Sequence, residues 1–539
     1  MTRYRSIFVA LLVLLLSSLS MSAISAPPPP KSKPLRMKEG EGVVLFHVAQ
    51  NFPAATSVGY LTPPVQVQRI DGDAKKFVVW PDATGTLSSI HYLGALPAGR
   101  YRLYDFQPSI GCWVCTQPEM PPSSTMPDFE VRAGEVSYLG VIQVSIVTYP
   151  LDRTKPRSVT WGWDETPDMS LGQRTFPEVQ SALAAMPLRA GWAESREPGQ
   201  DERGRAAIRA DSQGMVLSGR YGRDGFYFGA QNGVVKRWRP GATIEMLDAG
   251  SSLFLISVLE TPGGILLAGG EAGVLRSSAD GGRTWTDRGG GLPFGVVSNL
   301  TSIDDDNGIA FTVSTEGRVV VFRGRADTGE FTTFAEFERK FAFWTGLPGV
   351  MPQLFRHRDR MVLTLPSRKF AMLDLGTGKS EVLDPPGSIG NFKMNPDGTL
   401  WCTCAKTIAF SPYVSRDFGR TWQASDISRF MMLPEFFDDQ RGFSYQGAIF
   451  SAKKTGVATT TDGGKTWALS NEPDINLAWW APAYSADGSV MLLHSLQVFG
   501  NVGMSLSKYS LDGGASWQRI PDRMSWAYGP DPAGQDSAN

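Results

Sequence analysis

One eight-residue pattern recurs four times in the C-terminal half, and it restricts the possible folds more than any other feature of the chain. Ser278-Ala-Asp280-Gly-Gly282-Arg-Thr284-Trp285, Ser415-Arg-Asp417-Phe-Gly419-Arg-Thr421-Trp422, Thr460-Thr-Asp462-Gly-Gly464-Lys-Thr466-Trp467 and Ser510-Leu-Asp512-Gly-Gly514-Ala-Ser516-Trp517 all keep Ser/Thr-x-Asp-x-Gly-x-Thr/Ser-Trp. The residue types fit a tight hairpin: Asp accepts backbone N–H bonds, Gly takes a conformation other residues avoid, and Ser/Thr closes the turn. From Asp417 to Asp462 is 45 residues, from Asp462 to Asp512 is 50, and from Asp280 to Asp417 is 137. Asp327-Thr-Gly329 and Asp374-Leu-Gly376 divide that long gap into 47, 47 and 43, and Trp238-Arg-Pro-Gly241 lies one period before Gly282. A second marker keeps the same phase: Gly214, Gly264, Gly308, Gly398, Gly442 and Gly488 each open an apparent second strand. Self-similarity at such a period marks a repeat architecture.

The pattern resembles the Asp-box, or bacterial neuraminidase repeat, at all its key positions. Over residues 206–520 the chain is similar to Asp-box β-propellers of the sialidase-like superfamily, including exported photosystem-assembly-factor-like propellers. The resemblance implies that each box joins the third and fourth strands of a blade, with the Trp packed between neighbouring sheets. It implies a structural role for Asp280, Trp285, Asp417, Trp422, Asp462, Trp467, Asp512 and Trp517. The two in-phase markers argue for seven blades, with six or eight left open. Abundant Gly (58) and Pro (37), with almost no helical periodicity, agree with an all-β chain.

The remaining sequence divides around that block. Arg3 and Arg5, the apolar run Ile7–Leu16 and the small residues up to Ala26 have the form of a cleaved signal peptide over residues 1–25. A periplasmic or secreted protein with no lipobox is expected. Residues 26–36 read as a Pro/Lys linker, 150–205 as a connection with one short helix over Thr175–Met186, and 521–539 as a tail. Residues 37–149 read as short strands. There Leu96-Pro-Ala-Gly-Arg-Tyr-Arg-Leu103 and Phe129-Glu-Val-Arg-Ala-Gly-Glu-Val-Ser-Tyr-Leu-Gly140 resemble the small prealbumin-like β-sandwiches of envelope proteins.

A net charge of -1 without a basic run speaks against nucleic acid as a partner. No later segment has the roughly 20 apolar residues that a membrane span needs, so an integral membrane protein is not expected. Four cysteines form two local pairs, Cys112/Cys115 and Cys402/Cys404. A disulfide is expected for Cys112 and Cys115, and the pairing of Cys402 with Cys404 is left open. Four scattered histidines offer no ligand spacing, and no metal or cofactor is expected.

The Arg-Ile-Pro signature of sialidases occurs only as Arg519-Ile520-Pro521, after the last box, and no arginine triad is recognisable. Asp304-Asp-Asp306 and Asp438-Asp439 read as solvated turns rather than opposed catalytic carboxylates. The expected function is a non-catalytic binding or assembly protein of the envelope, monomeric, with a protein or a glycan as partner. The alternative is a glycoside hydrolase or lyase acting on extracellular polysaccharide. Arg223, Glu271, Trp344, Arg368, Lys406 and Trp479 are the expected binding residues, on loops of the face opposite the boxes.

Overall fold

The structure is a computed structural model that describes residues 35–50, 65–82, 89–105, 128–147, 158–163, 169–174, 183–192, 220–223, 225–242, 244–315, 317–338, 352–365, 369–405, 410–425, 433–446, 456–469, 483–498 and 503–519. The residues expected to form a signal peptide, Cys112, Cys115, most of the helix expected at 175–186 and the expected tail lie outside these residues.

The N-terminal strands are β1 (Glu41–Gln50), β2 (Val65–Arg69), β3 (Lys76–Asp82), β4 (Ser89–Pro97), β5 (Gly99–Asp105), β6 (Phe129–Val131) and β7 (Val136–Val147). The segment read as a connection adds β8 (Ser158–Trp163), helix α1 (Met169–Arg174) and β9 (Leu188–Ala190). The strand order is β6-β5-β2-β3-β4-β1-β7-β8, with β9 also paired to β7. Alternation along β1 sends Val44, Phe46 and Val48 to one face and Val43, Leu45 and His47 to the other. The sheet curls into a half-barrel around the first set, joined by Val65, Val67, Tyr92, Tyr101, Phe129 and Leu139. The curl brings β6 against the end of β9, where Phe129 bridges Trp192 and the Glu130 amide donates to the Gly191 carbonyl.

The rest is a seven-bladed propeller of four-stranded antiparallel sheets. The blades span residues 220–248, 255–287, 296–338, 354–383, 388–424, 435–469 and 483–519. All four complete repeats lie between the third and fourth strands of their blades, as do Asp327-Thr-Gly329 and Trp238-Arg-Pro-Gly241. Asp374 ends a third strand and accepts the Thr377 amide. The glycine marker fits blades 2, 3, 5, 6 and 7 and is lacking in blade 4, whose second strand is Arg360–Thr364; in blade 1 the second strand is Phe226–Gly229, whereas Gly214 lies outside the described residues.

Blade-to-blade packing is apolar. Leu259, Leu267 and Leu275 of blade 2, for example, share a cluster with Val297, Phe311 and Val320 of blade 3. Among the described residues each blade takes its four strands from its own segment, with no strand exchanged across the ring. Side chains seal it instead: Phe226, Phe228 and Trp238 of blade 1 pack with Ala483 and Leu492 of blade 7, and Trp238 meets the Tyr509 ring at 4.8 Å. In blade 5, Cys402 and Cys404 form a disulfide within one strand, Cα to Cα 5.6 Å, so neither is a thiolate metal ligand.

Candidate functional site

The four complete repeats build one turn. In the first, Asp280 Oδ1 accepts the Thr284 amide at 2.9 Å, and Oδ2 accepts the Thr284 hydroxyl at 2.7 Å. Ser278 Oγ donates to Asp280 and accepts the Gly282 amide, while Trp285 Nε1 donates back to the Gly282 carbonyl at 3.0 Å. Gly282 sits at φ 93, where a Cβ would also collide with Leu247 of blade 1. The same bonds recur at Asp417, Asp462 and Asp512. Hydroxyl and amide donors hold Asp280 far below the usual carboxylate range and lower Asp417, Asp462 and Asp512 to about 2. These polar groups are committed to their own hairpins.

Charge also gathers on the innermost strands, which surround the propeller axis. Lys393 of blade 5 pairs with Glu435 of blade 6 at 2.7 Å, both side chains at least 86% buried (14% and 10% exposed). Tyr484 of blade 7 hydrogen-bonds Glu435, and its phenol is held well above its usual range by burial first and the Glu435 charge second. Arg220 of blade 1 comes next: burial lowers its pKa, and Tyr484 opposes that shift. Lys393, Glu435, Tyr484 and Arg220 thus link four consecutive blades around the ring seam. Sequence reasoning missed them because each is one residue in an innermost strand of two to seven residues, with no motif around it. The weak signal available was their shared place beside the turn into the second strand.

The expected binding residues are distributed differently from the expectation. Arg223 lies in the turn between the first two strands of blade 1, on the same side as the repeat turns and not on the opposite face. The misplacement follows from the missed register of blade 1. There the Arg223 amide donates to Glu260 at 2.8 Å and its guanidinium to the Pro262 carbonyl at 3.1 Å. Glu271 is on the expected face, between the second and third strands of blade 2, but it is fully buried and presents no open carboxylate. Trp344, Arg368, Lys406 and Trp479 lie outside the described residues. Asp304 and Asp438 cap turns, accepting the Gly308 and Arg441 amides, and Arg519 is on an outermost strand, as expected.

The face opposite the repeat turns is partly occupied by the half-barrel. Val141 of β7 and Leu171 of α1 share an apolar cluster with Ala249, Leu253, Ala272 and Val274 of blades 1 and 2. Phe294, in the link from blade 2 to blade 3, packs its ring on His91 of β4 at 5.1 Å. Among the described residues there is no group of three or more His, Cys, Asp or Glu that could hold a metal, and no helix is long and apolar enough to cross a membrane.

No known family profile and no curated protein matches this chain. Solved structures share the propeller. YCF48 bound to D1 peptide is 16% identical, with a TM-score of 0.39, over 52% of this chain and 90% of that one. TolB from Acinetobacter baumannii is 13% identical, with a TM-score of 0.34, over 57% and 79%. The GH74 enzyme of Niastella koreensis is 14% identical, with a TM-score of 0.29, over 55% of this chain and 63% of that one, less than two thirds of its length. At these values the likeness concerns the fold alone.

Proposed function

We propose that this chain is an exported, non-catalytic binding or assembly protein of the cell envelope, built on Asp-box turns. Its partner, a protein or a glycan, would seat on the propeller face opposite those turns. The observation that carries this reading is the commitment of polar groups elsewhere. On the turn side each repeat Asp is spent on amides and hydroxyls of its own hairpin. On the innermost strands Glu435 is neutralised by Lys393 and Glu260 is bonded by Arg223, an arrangement that suits a scaffold better than a pair of opposed catalytic carboxylates. Because the half-barrel sits over blades 1 and 2, the proposed seat falls on blades 3–7, and the sequence within and between those blades carries the expected binding residues Trp344, Arg368, Lys406 and Trp479.

The test starts from a partner recovered from envelope extracts or identified on a glycan array, with affinity then measured for the purified pair. Trp344→Ala and Trp479→Ala should each weaken binding by about 1–3 kcal/mol, the usual cost of truncating an interface anchor. Unchanged affinity in both variants would refute the seat. Release of shortened sugars from a polysaccharide by the wild type would refute the non-catalytic reading.

A further inference from the structure

The half-barrel meets the propeller through a pair of histidines that the function above does not use. His47 of β1 and His91 of β4 stand directly opposite in the antiparallel register, Nδ1 facing Nδ1 in a hydrogen bond, and both are fully buried. Tyr138 of β7 packs edge-on against His47 at 5.7 Å, beside a bulge where the register steps from Leu45↔Tyr138 to His47↔Val141. Phe294 of the propeller packs edge-on against His91. The pair is therefore a polar layer closed by the propeller on one side and by the sheet on the other.

Such a pair is satisfied while neutral and costly to charge where it lies. One Nδ1 donates and the other accepts, which two neutral imidazoles satisfy. A first added proton places a full charge in a fully buried site lined by rings, where the Nε2 of His47 has no protein hydrogen-bond partner. A second proton turns both Nδ1 atoms into donors and destroys the contact. Among the described residues Tyr138 on β7 is the other ionisable group packed on the pair, and Asp82 of β3 holds the register position opposite His91. The neighbouring parts of α1 (Leu171, Gly172) and the propeller link (Phe294) are apolar. The half-barrel's own core, with Phe46 and Tyr92, lies on the other face of the sheet, so water can reach the pair if the two bodies part while that core stays intact.

We propose that His47 and His91 form an acid-sensitive latch that docks the half-barrel on blades 1 and 2 and the link to blade 3 while neutral and releases it on protonation. Burial, with His91 as a second cause for His47, holds both imidazoles below the usual histidine range, His91 at about 3. Exposed histidines titrate near about 6.5, so the open form takes up protons first. Docking is thus fully favoured above about pH 6.5. Below that it loses about tenfold per pH unit for each imidazole, until the docked pair itself titrates.

Small-angle scattering of the full chain from pH 7.5 to 4.5, with circular dichroism in parallel, reads the latch. The wild type should expand as the pH falls while its β-sheet signal persists, and the His47→Leu/His91→Phe variant should stay compact. A wild type that stays compact, or a variant that expands in the same window, overturns the proposal. If that variant does not fold, nitrogen NMR of the wild type's four histidines supplies the readout. Two imidazoles should lose their shared N–H–N signal together with the expansion, and loss of that signal without expansion overturns the latch. Asp82→Asn should leave the transition in place. Its disappearance in that variant would show that a carboxylate sets it, and the latch would fail.

Discussion

The half-barrel and the propeller bury their polar groups by opposite means. The propeller pairs its interior charges, with Lys393 on Glu435 and Tyr484 beside them, and it anchors its hairpins on aspartates whose hydroxyl and amide donors favour the ionised form. The half-barrel buries a neutral imidazole pair between aromatic rings. A paired charge resists protonation, whereas a buried neutral base is threatened by it. The two regions should therefore fail under different conditions although they share an apolar cluster at blades 1 and 2.

The largest effects should come from breaking each interior in its own way. Glu435→Ala leaves the Lys393 charge uncompensated and should cost about 3–5 kcal/mol. Replacing both partners with apolar residues should recover much of that loss. In the half-barrel, Phe46→Ala opens the core at a fully buried ring and should also cost about 3–5 kcal/mol. Denaturant unfolding, followed by signals from each region, will show whether either substitution lowers one transition or both. A Glu435→Ala protein as stable as wild type would remove the propeller's half of the contrast.

Next comes the junction. Leu171 is 4% exposed and belongs to the cluster that joins α1 to the propeller. Leu171→Ala should cost about 2–5 kcal/mol if the two bodies unfold as one, and much less if they unfold separately. A fragment beginning near Pro198 tests the same point. It should fold alone as an all-β body, but with the apolar rim of Ala249, Leu253 and Val274 uncovered.

Acid should then separate the regions by window. Asp417, Asp462 and Asp512 hold their charge down to about pH 2 in the fold, whereas an unfolded chain protonates them near about pH 4. Their contribution is complete above that upper value and is lost as pH falls between the two. The histidine pair acts earlier, below about pH 6.5. Melting temperature against pH should fall in two stages, and Asp462→Asn should flatten only the more acidic one. A single stage unaffected by Asp462→Asn would contradict the assignment.

What the sequence disclosed follows from the range of each interaction. A repeat turn is local: its donors and acceptors lie within four residues, so Asp280 to Trp285 could be recognised as a unit and blade counting followed. Arg223 was placed on the wrong face because blade 1 lacks the motif and its innermost strand is only Arg220–Tyr221. The pair of His47 with His91 joins residues 44 apart through a register that no local pattern announces. Lys393, Glu435, Tyr484 and Arg220 meet only after four blades have closed on one another.

The smallest expected effect concerns exposed charge, where the two regions should not differ at all. Arg223 shows the case. Its side chain is 57% exposed and lies 3.8 Å from Glu260, while the stronger tie to that carboxylate, at 2.8 Å, comes from the Arg223 backbone amide. Arg223→Ala removes the weak contact and the exposed guanidinium's bond to the Pro262 carbonyl but keeps the backbone tie, so stability should change by about 1 kcal/mol or less. Because the residue sits on the side of the repeat turns, partner binding on the opposite face should also be unchanged. Measured together, thermal unfolding and affinity separate the possibilities. A large loss of affinity at constant stability would move the binding surface to the repeat-turn side, and a large loss of stability would show that the rim of blade 1 depends on charge as its interior does.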